Sequence, residues 1–118
     1  MMANTASEAQ IRDVIDKNYC GETKMFVEVI TIFLAHLPDQ IKELEHARQG
    51  GNLDAVMLGA HRLKGEAAIF HLREPVDLMG KIEIMARGGT LPDATLLMQA
   101  IEALHVLETD LKAFASAT

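Results

Sequence analysis

Ala60-His61-Arg62-Leu63-Lys64-Gly65-Glu66-Ala67-Ala68-Ile69-Phe70, inside the segment from Asn52 to Leu72, is the stretch whose reading decides the fold. Each residue of an α-helix turns by about 100°, so Leu53, Val56, Ala60, Leu63, Ala67 and Phe70 share one side. Met57, His61, Lys64, Gly65 and Ala68 share another. The first set is an apolar core stripe. The second carries an imidazole on an open face, a lysine one turn after it and a glycine four residues after it. A cation on one flank and a cleared surface on the other suit a histidine that receives a phosphoryl group.

Upstream, Thr5 and Glu8 read as a capping box that opens a short helix burying Ile11, Val14 and Ile15, expected to lie across the bundle as a lid. Tyr19-Cys20-Gly21-Glu22 breaks the pattern, and Thr23 is the expected cap of a second helix. Phe26, Ile30, Phe33, Leu37, Ile41 and Leu44 form its stripe as far as about Gln49. Pro38 predicts a kink rather than a stop, because the stripe continues in phase on both sides of it. Gly50-Gly51 ends this helix and Asn52 caps the next, the one that carries His61.

Downstream, Arg73-Glu74-Pro75 makes a short break, with Pro75 where a first helical turn tolerates it. Leu78, Met79, Ile82, Met85 and Ala86 are the buried face of the fourth helix, which Gly88-Gly89 closes. Thr90 with Asp93 reads as a capping box for a last helix striped by Leu97, Ala100, Ile101, Leu104, Leu107, Leu111 and Phe114. The fold class is therefore all-α: an antiparallel up-down-up-down four-helix bundle with a short extra N-terminal helix. One domain spans residues 1–118, with fraying expected at about 1–4 and 115–118.

Composition narrows the function classes. With no tryptophan, one tyrosine and seven methionines, the chain favours helices over sheet. A net charge of −6 with scattered basic residues speaks against nucleic acid and anionic membranes as partners and for another protein. Cys20 is the single cysteine and has no zinc-ligand spacing around it, which points to a reducing compartment. No apolar run has the length of a membrane span and the N-terminus lacks signal-peptide character, so a cytoplasmic location is expected.

The chemistry follows from the residue types. An exposed imidazole with an ordinary pKa of about 6.5 is largely neutral at cytoplasmic pH and offers a nitrogen lone pair. Lys64 can pair with phosphoryl oxygens in the loaded state and in the transfer transition state. Gly65 costs about 1 kcal/mol of helix propensity relative to alanine, a penalty that makes sense where another backbone must approach. Ala68 extends the cleared strip, and Met57 and Leu58 offer adaptable apolar surface.

His61-Arg62-Leu63-Lys64-Gly65, followed by Leu78-Met79-Gly80-Lys81-Ile82-Glu83 and Arg87-Gly88-Gly89, resembles the signature of histidine-containing phosphotransfer (HPt) domains. These are the phosphocarriers of multistep two-component relays. Two positions depart from the family pattern: Glu66 stands where serine is usual, and His71 where a glycine is usual. By helical phase Glu66 projects roughly 140° from His61, clear of the chemistry. The resemblance implies His61 as phosphoacceptor, Lys64 as stabiliser of the phosphoryl group, and Met57, Leu58, Gly65, Ala68, His71, Leu72 and Glu83 as the contact surface. Glu83 would stand on the neighbouring helix near the histidine. The implied partners are receiver domains of response regulators or of a hybrid sensor histidine kinase, whose aspartate and bound Mg²⁺ supply the remaining catalytic groups. The protein itself would be a monomeric carrier without a cofactor of its own, not a stand-alone enzyme.

Two other readings compete. Glu43-Leu44-Glu45-His46 and Glu102-Ala103-Leu104-His105 have the Glu-x-x-His spacing of di-iron bundles, but the leucines face the core and turn the Glu and His outward. A pseudo-HPt module would dock and inhibit a receiver or kinase without being phosphorylated, a reading that His71 leaves open. His71 reads as a residue of the helix C-terminus, where the dipole favours it. His36, His46 and His105 read as solvated or boundary positions.

Overall fold

The computed structural model describes residues 8–71 and 73–118. Among them the regular structure is entirely helical: α1 (Glu8–Asn18), α2 (Thr23–Gln49), α3 (Leu53–Ala68), α4 (Arg73–Arg87) and α5 (Ala94–Ala117). The capping box assigned to Thr5 and the contact role assigned to Leu72 lie outside the described residues.

The periodic stripes are the core. Ile11, Val14 and Ile15 of α1, Phe26 to Leu44 of the α2 stripe, and Val56, Ala60, Leu63 and Ala67 of α3 are all buried. They meet Met79, Ile82 and Ala86 of α4 and the α5 stripe from Leu97 to Phe114. Helix α2 runs unbroken through Pro38. Contacts between α2 and α3 pair residues in descending order. Gln40 Nε2 donates to Glu66 Oε2 at 3.1 Å, Arg62 meets Glu43 at 3.6 Å, and a Cβ at Gly59 would lie 3.4 Å from Leu44 Cδ1. Helix α3 thus runs back along α2.

All five aromatic residues join one network. Phe26 makes edge-on contacts with Tyr19, Phe70 and Phe114 at ring separations of 5.0, 5.7 and 6.0 Å, and Phe33 meets Phe70 at 4.9 Å. Such pairs add about 0.5–1.5 kcal/mol each beyond their area burial. The Tyr19 hydroxyl donates to the Ile69 carbonyl at 3.0 Å, tying the turn after α1 to the end of α3. Burial pushes the Tyr19 phenol up from its ordinary pKa.

Helix ends separate the stop signals from the start signals. Gly50-Gly51 ends α2, with Gly51 at φ +68°, and the Asn52 side chain accepts from Ala55 N–H at 3.1 Å to cap α3. Pro75 stands in the first turn of α4, and Gly89 at φ +92° follows its end. Two expected caps fall elsewhere. Thr23 is the first helical residue of α2, behind Glu22, which makes no side-chain capping bond. Asp93, not Thr90, caps α5, accepting from Leu96 N–H at 2.8 Å. Helix α5 continues to Ala117, and the Thr118 hydroxyl donates back to the carbonyls of Phe114 and Ala115.

His71 is corrected in the same way. Helix α3 ends at Ala68, so His71 lies beyond it in the turn, with φ +56° and its N–H bonded to the Ala68 carbonyl. That left-handed conformation is one a glycine adopts without strain, and histidine is among the residues that tolerate it.

Candidate functional site

Helix α3 holds His61 one turn beyond Met57 on the face opposite its core stripe, and α4 packs alongside. The histidine ring is 64% exposed. Its Nδ1 lies 2.8 Å from Oε2 of Glu83, a residue 2% exposed and the one charged residue in the buried set among the described residues. Lys64 Nζ stands 2.6 Å from Glu83 Oε1, and Arg87 Nη2 donates to Oε2 at 2.5 Å. One covered carboxylate thus gathers an imidazole and a lysine from α3 and an arginine from its own helix.

Burying a carboxylate is costly unless it is paired. Here pairing prevails: the Lys64 ammonium first, then the His61 ring, hold Glu83 down at about 2 against the burial that pushes it up. At 2.6 Å the Lys64 ammonium supplies charge, although its approach to Oε1 lacks the direction of an aligned hydrogen bond. An ionised carboxylate only accepts, so the proton between Glu83 and His61 belongs to Nδ1. Nε2 is then the nitrogen with the free lone pair. A ring held this way can attack an electrophile through Nε2, and Glu83 stabilises the positive charge the ring gains as that bond forms.

The surroundings are open. An added Cβ at Gly65 meets nothing within 4 Å, and Ala68 is exposed. Leu58 is 58% exposed, Met57 is half-buried, and His71 is exposed beyond the end of the strip. Glu66 turns to α2, where Gln40 holds it, as its helical phase predicts. Glu83 departs from the expectation of a contact-surface residue. It is near the histidine as the resemblance implies, but covered, and its acid function faces inward as the hub of the cluster.

Three residues without an assigned role in the sequence reading join the site. Arg87 belongs to the quoted motif, and its position one turn after Glu83 was the available signal for the pair. Ile69, 40% exposed, borders the strip at the end of α3. Gly80 sits under the Lys64 stem, where a Cβ would lie 3.7 Å from Lys64 Cδ. A glycine in mid-helix could have suggested a close neighbour, though not which one.

The competing metal site finds no support in the side-chain directions. Glu43 is 70% exposed and paired with Arg62, His46 is exposed, and His105 points outward to Glu108 at 3.2 Å. No group of three or more His, Cys, Asp or Glu residues among the described residues could hold a metal ion. No helix among them is long and apolar enough to cross a membrane.

No curated protein and no solved structure matches the chain. The family model of the Hpt domain matches residues 28–117, a span that runs from α2 to the end of α5 and includes His61, Lys64, Glu83 and Arg87. The chain belongs to the Hpt domain family, the histidine-containing phosphotransfer modules of two-component signalling.

Proposed function

We propose that the protein is a phosphorelay carrier that accepts a phosphoryl group on Nε2 of His61 from the aspartate of one receiver domain and passes it to another. The observation that carries this reading is the 2.8 Å bond from the His61 Nδ1–H to the covered Glu83 carboxylate on a ring that is itself 64% exposed. It leaves the opposite nitrogen bare and facing outward. In the forward step Nε2 attacks phosphorus, the bond from phosphorus to the aspartyl oxygen breaks, and the carboxylate leaves with the electron pair. The ring keeps its Nδ1 proton and becomes cationic, a charge that Glu83 shares. Lys64 pairs with the phosphoryl oxygens. The return step is the same path reversed, with the aspartate of the second receiver as nucleophile.

In this reading Gly65, Ala68, Met57, Leu58 and Ile69 form the docking strip, and Mg²⁺ is carried by the receiver. The protein has no cofactor of its own and no turnover alone. It works as a cytoplasmic monomer, because one helix face must meet different receivers in turn, and its α2–α5 frame is an up-down-up-down bundle with α1 added. The test is to treat the purified protein with phosphoramidate, a small donor, and to weigh wild type and His61→Gln intact. One acid-labile phosphoryl group on wild type and none on His61→Gln supports the carrier. An unmodified wild type that still binds a receiver supports the pseudo-HPt alternative.

A further inference from the structure

We infer that Arg87 is the positioning residue that frees Lys64 for the phosphoryl group, by remaining as the counter-ion of Glu83 when Lys64 leaves it. The inference rests on the acceptance of a phosphoryl group by His61.

The three partners of Glu83 are not equivalent. Oε2 takes two directed bonds, from His61 Nδ1 and Arg87 Nη2, whereas Oε1 has Lys64 alone, close but poorly aligned. Arg87 and Glu83 are one turn apart on α4, so their pairing is set by a single helix. Lys64 and His61 are three residues apart on α3, so the lysine travels with the ring. The Lys64 stem crosses Gly80, where even an added Cβ would only reach ordinary contact, and this leaves the chain room to swing. Lys64 is therefore the cation built to move and Arg87 the one built to stay.

Charge makes the division necessary. A phosphoryl group on Nε2 brings up to two negative charges beside a carboxylate that is 97% covered. Were Lys64 the only other cation, its departure would leave the covered Glu83 with the His61 ring alone, a ring that itself carries the second anion, and the lysine would be held back. Arg87 removes that penalty.

Glutamine at position 83 supplies the test, since its amide oxygen still accepts from Nδ1–H but needs no counter-ion. Phosphoramidate loading rates are read by intact mass for wild type, Arg87→Ala, Arg87→Lys, Lys64→Ala and Glu83→Gln, and for Glu83→Gln combined with Arg87→Ala or Lys64→Ala. Thermal melts monitor folding, with Arg87→Gln as the variant that keeps the arginine stem. Arg87→Ala is expected to load about tenfold more slowly, the rate equivalent of one hydrogen bond to a charged group, with Arg87→Lys restoring most of the loss. In the Glu83→Gln background the loss of Arg87 is expected to be silent, while the loss of Lys64 still slows loading.

An Arg87 effect that survives in Glu83→Gln would mean that the guanidinium touches the phosphoryl group itself, and would overturn the inference. So would wild-type loading by Arg87→Ala. A wild type that never loads overturns the carrier reading and this inference with it, whereas normal wild-type loading with an unexpected Arg87 pattern overturns the inference alone.

Discussion

Glu83→Met separates what the buried carboxylate does for stability from what it does for chemistry. The side chain is 3% exposed, and methionine fills a similar volume, so the substitution buries new apolar surface worth about 1.5–3 kcal/mol. Against this stand three lost pairs. Their partners are 64% exposed at His61, 34% at Lys64 and 61% at Arg87, so each can rehydrate when the carboxylate goes. Solvent-screened pairs of this kind are worth about 0.5–1 kcal/mol each, and the two sides cancel to within about 1 kcal/mol. For a chain of this size that is a shift of about 4 °C or less in Tm, in either direction.

The chemistry should respond differently. The Nδ1–H bond to the carboxylate biases the ring toward the tautomer with a bare Nε2 and strengthens as the ring becomes cationic. A hydrogen bond to a charged group is worth about 1.5–3 kcal/mol, and release of Lys64 gives part of that back, so loading by phosphoramidate should slow about tenfold. The assays are thermal unfolding at neutral pH, intact-mass kinetics, and the ¹⁵N shifts of the His61 ring. Wild type should show a protonated Nδ1 and Glu83→Met a mixture of tautomers. A Tm fall of more than about 10 °C would show that the carboxylate is a keystone of the fold, and wild-type loading with an unchanged ring would refute its role in the chemistry.

Three further outcomes follow from the same geometry. His71→Gly should stabilise the protein by about 0.5–1 kcal/mol in chemical denaturation, since glycine removes the strain of φ +56° but brings extra unfolded-chain entropy; a loss of stability would mean that the imidazole makes an essential contact. Gly65→Ala meets empty space and should add about 1 kcal/mol of helix propensity, whereas Gly65→Leu should still load from phosphoramidate yet lose transfer from a phosphorylated receiver; equal loss with both donors would show that the glycine serves the ring rather than docking. Glu83, held at about 2 in the fold against an ordinary 4.5, contributes stability that is complete above pH 4.5. As pH falls the unfolded chain takes up this proton first, so the contribution declines between pH 4.5 and 2. Wild type should therefore lose more stability across that window than Glu83→Met, and parallel curves would contradict the depressed pKa.

The helices were legible because their signals are periodic. The stripes in α2, α3, α4 and α5 each repeat over several turns; that of α2 is buried throughout, while Leu53, Leu78, Met85 and Ile101 of the other three are only half-buried. Glycine stops were legible for a related reason: a positive φ such as that of Gly51 or Gly89 is a property of the residue itself. Side-chain starts were harder. Thr23 and Thr90 have the right chemistry for caps, but Asp93 offers an equally good oxygen nearer the helix, and the backbone chose it.

In the site, phase alone put His61, Lys64 and Gly65 on the open face. It could not show that Glu83 is covered, because a glutamate at the edge of an apolar stripe reads as surface until the neighbouring helix is in place. Nor could it show that Arg87 and Lys64 share one carboxylate, a convergence between α3 and α4 that depends on how closely they pack. His71 was legible as a departure from glycine, and its conformation explains it: the turn keeps the shape a glycine would take.

The most direct test of the account is the position of the phosphoryl group itself. Wild-type protein with ¹⁵N-labelled histidine, loaded with phosphoramidate, can be examined by ³¹P and ¹⁵N NMR for the nitrogen bonded to phosphorus. The account predicts a single phosphoryl group on Nε2 of His61, with Nδ1 still protonated and bonded to Glu83. Phosphorus on Nδ1 of His61, on His71 or any other histidine, or on none of them would contradict it.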